Sequence, residues 1–315
     1  MPILTGIMPV APTAFDEQQQ IDSESQRRVT DFLVDAEVDG ICIMANYSEH
    51  FSLSDDERSI VIATTIDQAD ERVPVCVATS HFSSAIANSR NREAQNRGAS
   101  MIMMMPPFYG ARMSVDATTL LAYFQEALDG ITIPLMLQDS PLSTTILSAQ
   151  SIVALAREFP ILQYAKIETA NSAAKIREIK AHAGADLPGL FDGEEAVTLI
   201  PDFEAGAIGA MTSSLLPEKI GLAARTFLDG DRQLATALWE DVLPLIQYEN
   251  RQCGLRAMKE VLYAGGVLSS ARTRSPIPPM DSDTRAGLLA LARRKNLRAL
   301  EWGVSSNRAR NSSTV

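Results

Sequence analysis

Short apolar runs rich in Val, Ile, Met and Leu recur at intervals of roughly 25 to 35 residues, and each is followed by a segment with apolar positions at helical spacing. The runs at 6–13, 40–45, 73–80, 100–106, 133–140, 162–169, 189–193 and 207–213 predict eight strands. The stretches 23–38, 54–69, 83–97, 114–128, 148–159 and 172–182 predict helices among them. Several of these helices open with a serine whose hydroxyl can accept from the first free backbone amides. Ser54 with Glu57 three residues later spells a capping box.

Strict alternation of strand and helix demands parallel strands, and eight is the number at which such a sheet closes into a barrel. The near-continuous apolar strands agree, because barrel strands are covered on both faces. The expected fold is α/β, a (β/α)8 TIM barrel with a C-terminal helical extension. After the eighth run the pattern is helical only, from about 217 to 302. Long helices start from Arg232 and from Cys253, a proline-rich break falls at 275–279, and a last helix lies near 283–300. The chain divides accordingly into a catalytic barrel at 1–228, a helical extension at 229–303 and a flexible polar tail at 304–315.

Composition narrows the partners. A chain of 315 residues with 46% hydrophobic and 21% charged residues is globular and long enough for a large core. Asp and Glu outnumber Lys and Arg by 39 to 28, a net charge of -11 that repels phosphate backbones and anionic lipids. Neither nucleic acid nor a membrane is expected as a partner. Cys42, Cys76 and Cys253 are widely spaced in apolar runs and read as core thiols of a reducing compartment, not a disulfide framework or zinc cluster. With no run of about 20 apolar residues and no basic start leading into an apolar leader, a cytoplasmic protein is expected. The carboxylates and histidines lack metal-ligand spacing and the glycines lack a phosphate-binding pattern, so neither a metal nor a cofactor is expected.

In barrels of this type catalytic side chains come from the C-terminal ends of strands. The sixth run reads Leu162-Gln-Tyr-Ala-Lys-Ile-Glu-Thr169. Alternation puts Tyr164, Lys166 and Glu168 on one face and the apolar Ala165 and Ile167 on the other, toward the helices. Lys166 therefore points inward, where an ammonium is costly unless paired or used. Two readings stand: a lysine held by Glu168 or reaching solvent, and a desolvated amine that attacks a ketone to form a Schiff base.

Further motifs carry a family resemblance. Pro9-Val-Ala-Pro-Thr-Ala-Phe15, Asp39-Gly-Ile-Cys-Ile43, Ser48-Glu49 with Leu53-Ser-Asp-Asp-Glu-Arg58, Pro106-Pro-Phe-Tyr109, Asp192-Gly-Glu-Glu195 and Gly206-Ala-Ile-Gly209 surround Lys166 in order. With them the chain resembles the dihydrodipicolinate synthase and N-acetylneuraminate lyase superfamily over nearly its whole length. That resemblance implies a Schiff-base role for Lys166. The departures matter too: Ala45-Asn-Tyr-Ser-Glu49 replaces the usual Gly-Thr-Thr-Gly-Glu, Gln138 replaces the proton-relaying tyrosine, and Ser143 replaces the synthase's carboxylate-binding arginine. They disfavour both the synthase and a simple retro-aldol reaction, since a neutral amide cannot take the proton from a C4 hydroxyl. The runs Asn46 to Glu49, Gln138 to Pro141, Lys166 to Thr169, Asp192 to Ala196 and Glu249 to Gln252 together resemble the 2-keto-3-deoxyarabonate dehydratase branch.

By that resemblance the expected reaction converts L-2-keto-3-deoxyarabonate to 2-oxoglutarate semialdehyde and water in L-arabinose oxidation. Lys166 would form the Schiff base, Glu168 would serve as acid and base, and Gln138 would hold a substrate hydroxyl or a water. The backbone amides of Tyr47 and Ser48 and the Ser48 hydroxyl, beside Asn46, would receive the substrate carboxylate. Tyr109 matches a tyrosine that reaches across a dimer interface in relatives, although packing at a strand end explains it as well. His81 could face the barrel mouth, Met211 is placed with the substrate-binding residues, and Met105 could line the pocket. His50 is a weaker candidate, and His182 reads as helix surface. The resemblance further implies a homotetramer built from dimers. An aldolase or dehydratase for another 2-keto-3-deoxy sugar acid, and a barrel that binds a keto acid without turning it over, remain as alternatives.

Overall fold

A computed structural model describes residues 3–108 and 115–303. Tyr109 and the tail at 304–315 lie outside the described residues. The strands are β1 (Gly6–Ile7), β2 (Ile41–Ile43), β3 (Val75–Ala78), β4 (Met101–Met104), β5 (Leu135–Asp139), β6 (Leu162–Ile167), β7 (Gly189–Asp192) and β8 (Gly209–Ala210). They form one parallel sheet in the order β1-β8-β7-β6-β5-β4-β3-β2. Val10 closes the ring by bridging in parallel both to Cys42 and to Ser213. The barrel expected from the alternation is thus the one observed, although β1 and β8 keep regular pairing over only two residues each.

The outer layer is α1 (Ser23–Asp35), α2 (Asp55–Ala69), α3 (Ser84–Asn96), α4 (Ala117–Ala127), α5 (Ala149–Glu158), α6 (Ser172–Ala183), α7 (Leu199–Ala205) and α8 (Pro217–Leu228). The Ser54 capping box forms with both of its bonds, and Ser148 caps α5 through the Ser151 amide. Serine does not cap the others: Asp22 takes that place before α1, Ser83 makes no side-chain cap, and the Ser172 hydroxyl instead donates to Asp202.

The interior is filled by layers from the strands. Tyr164 projects inward, as alternation required, and its hydroxyl accepts from the Leu4 amide across the barrel floor at 2.9 Å. Its ring meets Phe191 edge-on at 6.0 Å. The glycine that opens β7 makes room for this, since a Cβ on Gly189 would come within 2.2 Å of the Tyr164 ring. Fully burying each such aliphatic or aromatic side chain contributes roughly 1.5–3 kcal/mol.

After the barrel come α9 (Arg232–Tyr248), a π-helical turn (Glu249–Cys253), α10 (Arg256–Ala264) and α11 (Ser282–Arg294). Within this extension two boundaries differ from the sequence reading. The helix expected from Cys253 begins instead at Arg256, because the π-turn closes with a bond from the Gly254 amide to Glu249 O at 2.7 Å and Gly254 takes φ +61. The last helix stops at Arg294 because Asn296 adopts a left-handed backbone, and a short 3-10 turn (Arg298–Leu300) follows.

Candidate active site

The site grows from one irregularity in the sheet. Leu135 pairs with Leu162, but Met136 pairs with Tyr164, so Gln163 is an extra residue on β6. Without this bulge Gln138 would sit opposite Ala165; with it, Gln138 lies beside Lys166 on the inward face. Lys166 Nζ is in direct ion-pair contact with Glu168 Oε1. The same oxygen accepts from Gln138 Nε2 at 2.9 Å. The motif's Asp139 braces the chain beyond β6, accepting from Thr169 Oγ1 at 2.8 Å and from Lys175 Nζ of α6 at 2.6 Å.

Burial by itself pulls the Lys166 amine down, but its acidic surroundings, Glu168 foremost, outweigh it and hold the group above the ordinary lysine value. The resting state is therefore an ammonium in contact with a carboxylate, able to pass its proton directly to Glu168. Of the two sequence readings, the ion pair is the arrangement seen, and that pair is also what can release a nucleophilic amine.

A cavity of about 180 Å³ opens over this pair, lined by Val10, Asn46, Tyr47, Ser140, Glu194 and Glu195 among others. Among the described residues, cavities of about 470 Å³ and 340 Å³ are larger. Neither is lined by Lys166, so chemistry and not size selects the site.

Glu194 and Glu195 had no role assigned in the sequence reading, although the Asp192-Gly-Glu-Glu-Ala196 run sits at a strand end where such residues are sought. Asp192 builds their turn: its carboxyl oxygens accept from the amides of Glu194 at 3.3 Å and Ala196 at 3.1 Å. Glu195 and Ala196 both take left-handed backbone there. Gly193 is required by close approach, since a Cβ would meet Glu168 Cγ at 2.5 Å. Burial drives the Glu195 carboxyl well above its usual range, against the pull of Lys166 and with the help of Glu168 and Glu249. It is thereby favoured in its neutral form beside Lys166.

Asn46 and Tyr47 both line the cavity. Burial, then Glu195, Glu249 and Glu168, push the Tyr47 phenol up, so it stays a neutral hydroxyl. Ser48 requires a correction. It is fully buried, its hydroxyl donates to Ala11 O at 2.7 Å and its amide to Ala45 O at 2.9 Å. Those donors are already committed, and the turn is presented by Asn46 and Tyr47 instead.

His81 is also corrected. It lines the neighbouring cavity with His50, Phe51 and Met105, and its Nδ1 accepts from the Ser83 amide at 2.9 Å. The strand end carries it past the mouth toward α3, and it makes no part of the Lys166 cavity. Met105 belongs to that second cavity as well. Met211 is wholly buried, with its amide donating to Asp192 O at 2.8 Å, and packs in the core instead of lining the site.

Glu249, opening the π-turn, stands behind the cavity wall. Its Oε2 accepts from Ser213 Oγ at 3.0 Å, while Oε1 has no partner among the described residues. Burial pushes this carboxyl up to about 8. In the unfolded chain it ionises near 4.5, so the folded state retains a proton that the unfolded state loses. Stability is therefore withdrawn as pH rises from 4.5, and the loss is complete above about 8. Glu249→Gln removes that linkage. Between pH 4 and pH 8.5 its unfolding free energy should gain roughly 4 kcal/mol relative to the parent. Urea titrations at the two pH values check this, and equal differences at both would refute a raised Glu249.

Comparison with known proteins agrees with this architecture. Residues 3–295 match the dihydrodipicolinate synthetase family. The chain is 43% identical over 297 residues to an L-2-keto-3-deoxyarabonate dehydratase of Azospirillum brasilense, covering 94% of this chain and 96% of that one. Among solved structures, a dihydrodipicolinate synthase from Rhodopseudomonas palustris superposes with a TM-score of 0.84 at 27% identity, covering 92% of this chain and 97% of that one. YagE of Escherichia coli K12, solved in complex with pyruvate, gives 0.85 at 25% identity, with coverages of 94% and 99%. Among the described residues no helix is long and apolar enough to cross a membrane. A parallel eight-stranded barrel with a buried lysine at the end of its sixth strand, matched over residues 3–295, places this chain in the dihydrodipicolinate synthetase family.

Proposed function

We propose that this enzyme is a Schiff-base dehydratase that converts L-2-keto-3-deoxyarabonate to 2-oxoglutarate semialdehyde and water, a step of L-arabinose degradation. The observation that carries the reading is the Lys166–Glu168–Gln138 cluster, in which one carboxylate oxygen contacts both the amine and a neutral amide. A tyrosine suited to retro-aldol proton relay is replaced there by a group that only positions. The 43% identity to an L-2-keto-3-deoxyarabonate dehydratase supports the substrate.

Substrate enters with its carboxylate on the turn of Asn46 and Tyr47. Glu168 takes the ammonium proton of Lys166, and the free amine attacks the C2 ketone, losing water to form an iminium. The iminium acidifies C3, and removal of one proton gives an enamine. Its electrons expel the C4 hydroxyl, which leaves as water with a proton from Glu168. Loss of a C5 proton from the conjugated iminium gives an enol. Protonation at C3, tautomerisation of the enol to the aldehyde and hydrolysis of the iminium release product and restore Lys166. Gln138 keeps Glu168 oriented throughout.

The test offers L-2-keto-3-deoxyarabonate to the purified chain with two reporter enzymes in separate assays. Oxidation by a 2-oxoglutarate semialdehyde dehydrogenase is expected to account for all substrate consumed, with no signal from lactate dehydrogenase. Stoichiometric pyruvate, with glycolaldehyde, would make the enzyme an aldolase and end the dehydratase reading.

A further inference from the structure

The helical extension contributes a buried lysine to the far side of the substrate turn, where the proposed reaction makes no use of it. Glu49 ends the run that begins at Ala45, and its backbone is left-handed at φ 57, a conformation costly for a residue with a Cβ. Its carboxylate is wholly buried and is gripped at both oxygens. Lys259 of α10 contacts Oε1 directly, and the Arg274 amide donates to Oε2 at 2.9 Å. Lys259 in turn donates to Arg272 O at 2.7 Å, and its ammonium lies 4.4 Å from the centre of the Phe15 ring, which the Arg274 guanidinium approaches at the same distance. From the barrel side, Thr13 and Ala11 bond to Ser48. The run is thus held at Ser48 from the barrel and at Glu49 from the extension, and the two residues that line the Lys166 cavity, Asn46 and Tyr47, are presented from a frame that spans 210 positions of sequence.

A buried ion pair is poor evidence for stability as such, because a matched apolar pair often does as well. Here the pair is spent at one place, on a strained backbone turn next to the reaction centre. Resting on the reading that this turn receives the substrate carboxylate, we propose that Lys259 is a positioning residue: through Glu49 it fixes the Asn46–Tyr47 turn and so sets the affinity for the carboxylate end of the keto acid, leaving the chemistry at Lys166 untouched. The extension is then part of the binding apparatus, acting at one remove.

The experiment measures borohydride trapping of Lys166 by two ketones, pyruvate and hydroxyacetone, which lacks the carboxylate. In Lys259→Met the pyruvate concentration for half-maximal trapping is expected to rise about tenfold or more, with the hydroxyacetone value and the saturated trapping rate within about threefold of the parent. Substrate KM rises with it while kcat is retained. Because Lys259→Met strands the Glu49 charge and could fail to fold, the double variant Glu49→Gln/Lys259→Met is measured beside it. That variant is expected to regain Tm while keeping the raised half-saturation for pyruvate. Equal shifts for the two ketones, or recovery of pyruvate affinity along with Tm, would reduce the pair to a structural role and overturn the inference. No trapping of either ketone by the unaltered protein would instead overturn the Schiff-base reading, and this inference with it.

Discussion

Lys166→Met should abolish both turnover and borohydride trapping, with dehydration falling by at least about 10⁴-fold to the background of the assay. The size of the effect follows from covalent catalysis. Without the iminium nothing acidifies the C3 protons, and the step that expels the C4 hydroxyl loses its source of electrons. Other buried lysines cannot substitute, and the reason is geometric. Lys175 is bound by Asp139 at 2.6 Å and by Leu147 O at 2.6 Å. Lys259 is bound by Glu49 and Arg272 O. Neither lines the cavity that Lys166 and Glu168 share. The variant should fold, because methionine keeps most of the lysine's volume and Glu168 stands at the cavity edge with Gln138 still donating to it. Steady-state assay and mass spectrometry of the borohydride-treated variant check the outcome. An adduct mapped to another lysine would move the nucleophile there.

The sequence carried the fold because its pattern agreed at several levels: apolar runs of strand length, amphipathic stretches between them, and the serine caps at Ser54 and Ser148. It carried the inward face of β6 because a period of two needs only one strand to be read. Gln138 shows the limit of that reasoning. Its family position was visible, but its place beside Lys166 depends on a bulge at Leu135 and Met136 that shifts the register by one residue, and nothing in the apolar run marks it. Ser48 and His81 failed for a related reason. Each lies near a strand end, but the backbone there turns sharply, and one residue decides whether a side chain faces the cavity or supports it from behind. Glu194 and Glu195 were within reach, since their motif was recognised and ends a barrel strand. The link between Glu49 and Lys259 was out of reach: two charged residues 210 apart in the chain meet only through the packing of the extension on the barrel.

Glu168→Gln separates the two halves of the proposed chemistry. Turnover should fall by about 10³-fold, in the range typical for loss of a general acid and base, while the borohydride adduct with pyruvate persists. The amide keeps the size of the side chain and its place against Gln138 but can neither accept nor deliver a proton. Its effect on Lys166 gives an independent signature. Burial lowers that amine, and the Glu168 carboxylate is the foremost of the groups that raise it. Removing the carboxylate takes away the foremost of those groups, so the amine becomes free at lower pH than in the parent. The pH profile of trapping should therefore move in the acidic direction, and adduct should form at least as fast near neutrality. Turnover lost and trapping gained in one variant is a combination that misfolding does not produce. Undiminished dehydration would transfer the acid and base role to another group, for which Glu195, facing the same cavity and favoured as a neutral acid beside Lys166, is the nearest in chemistry.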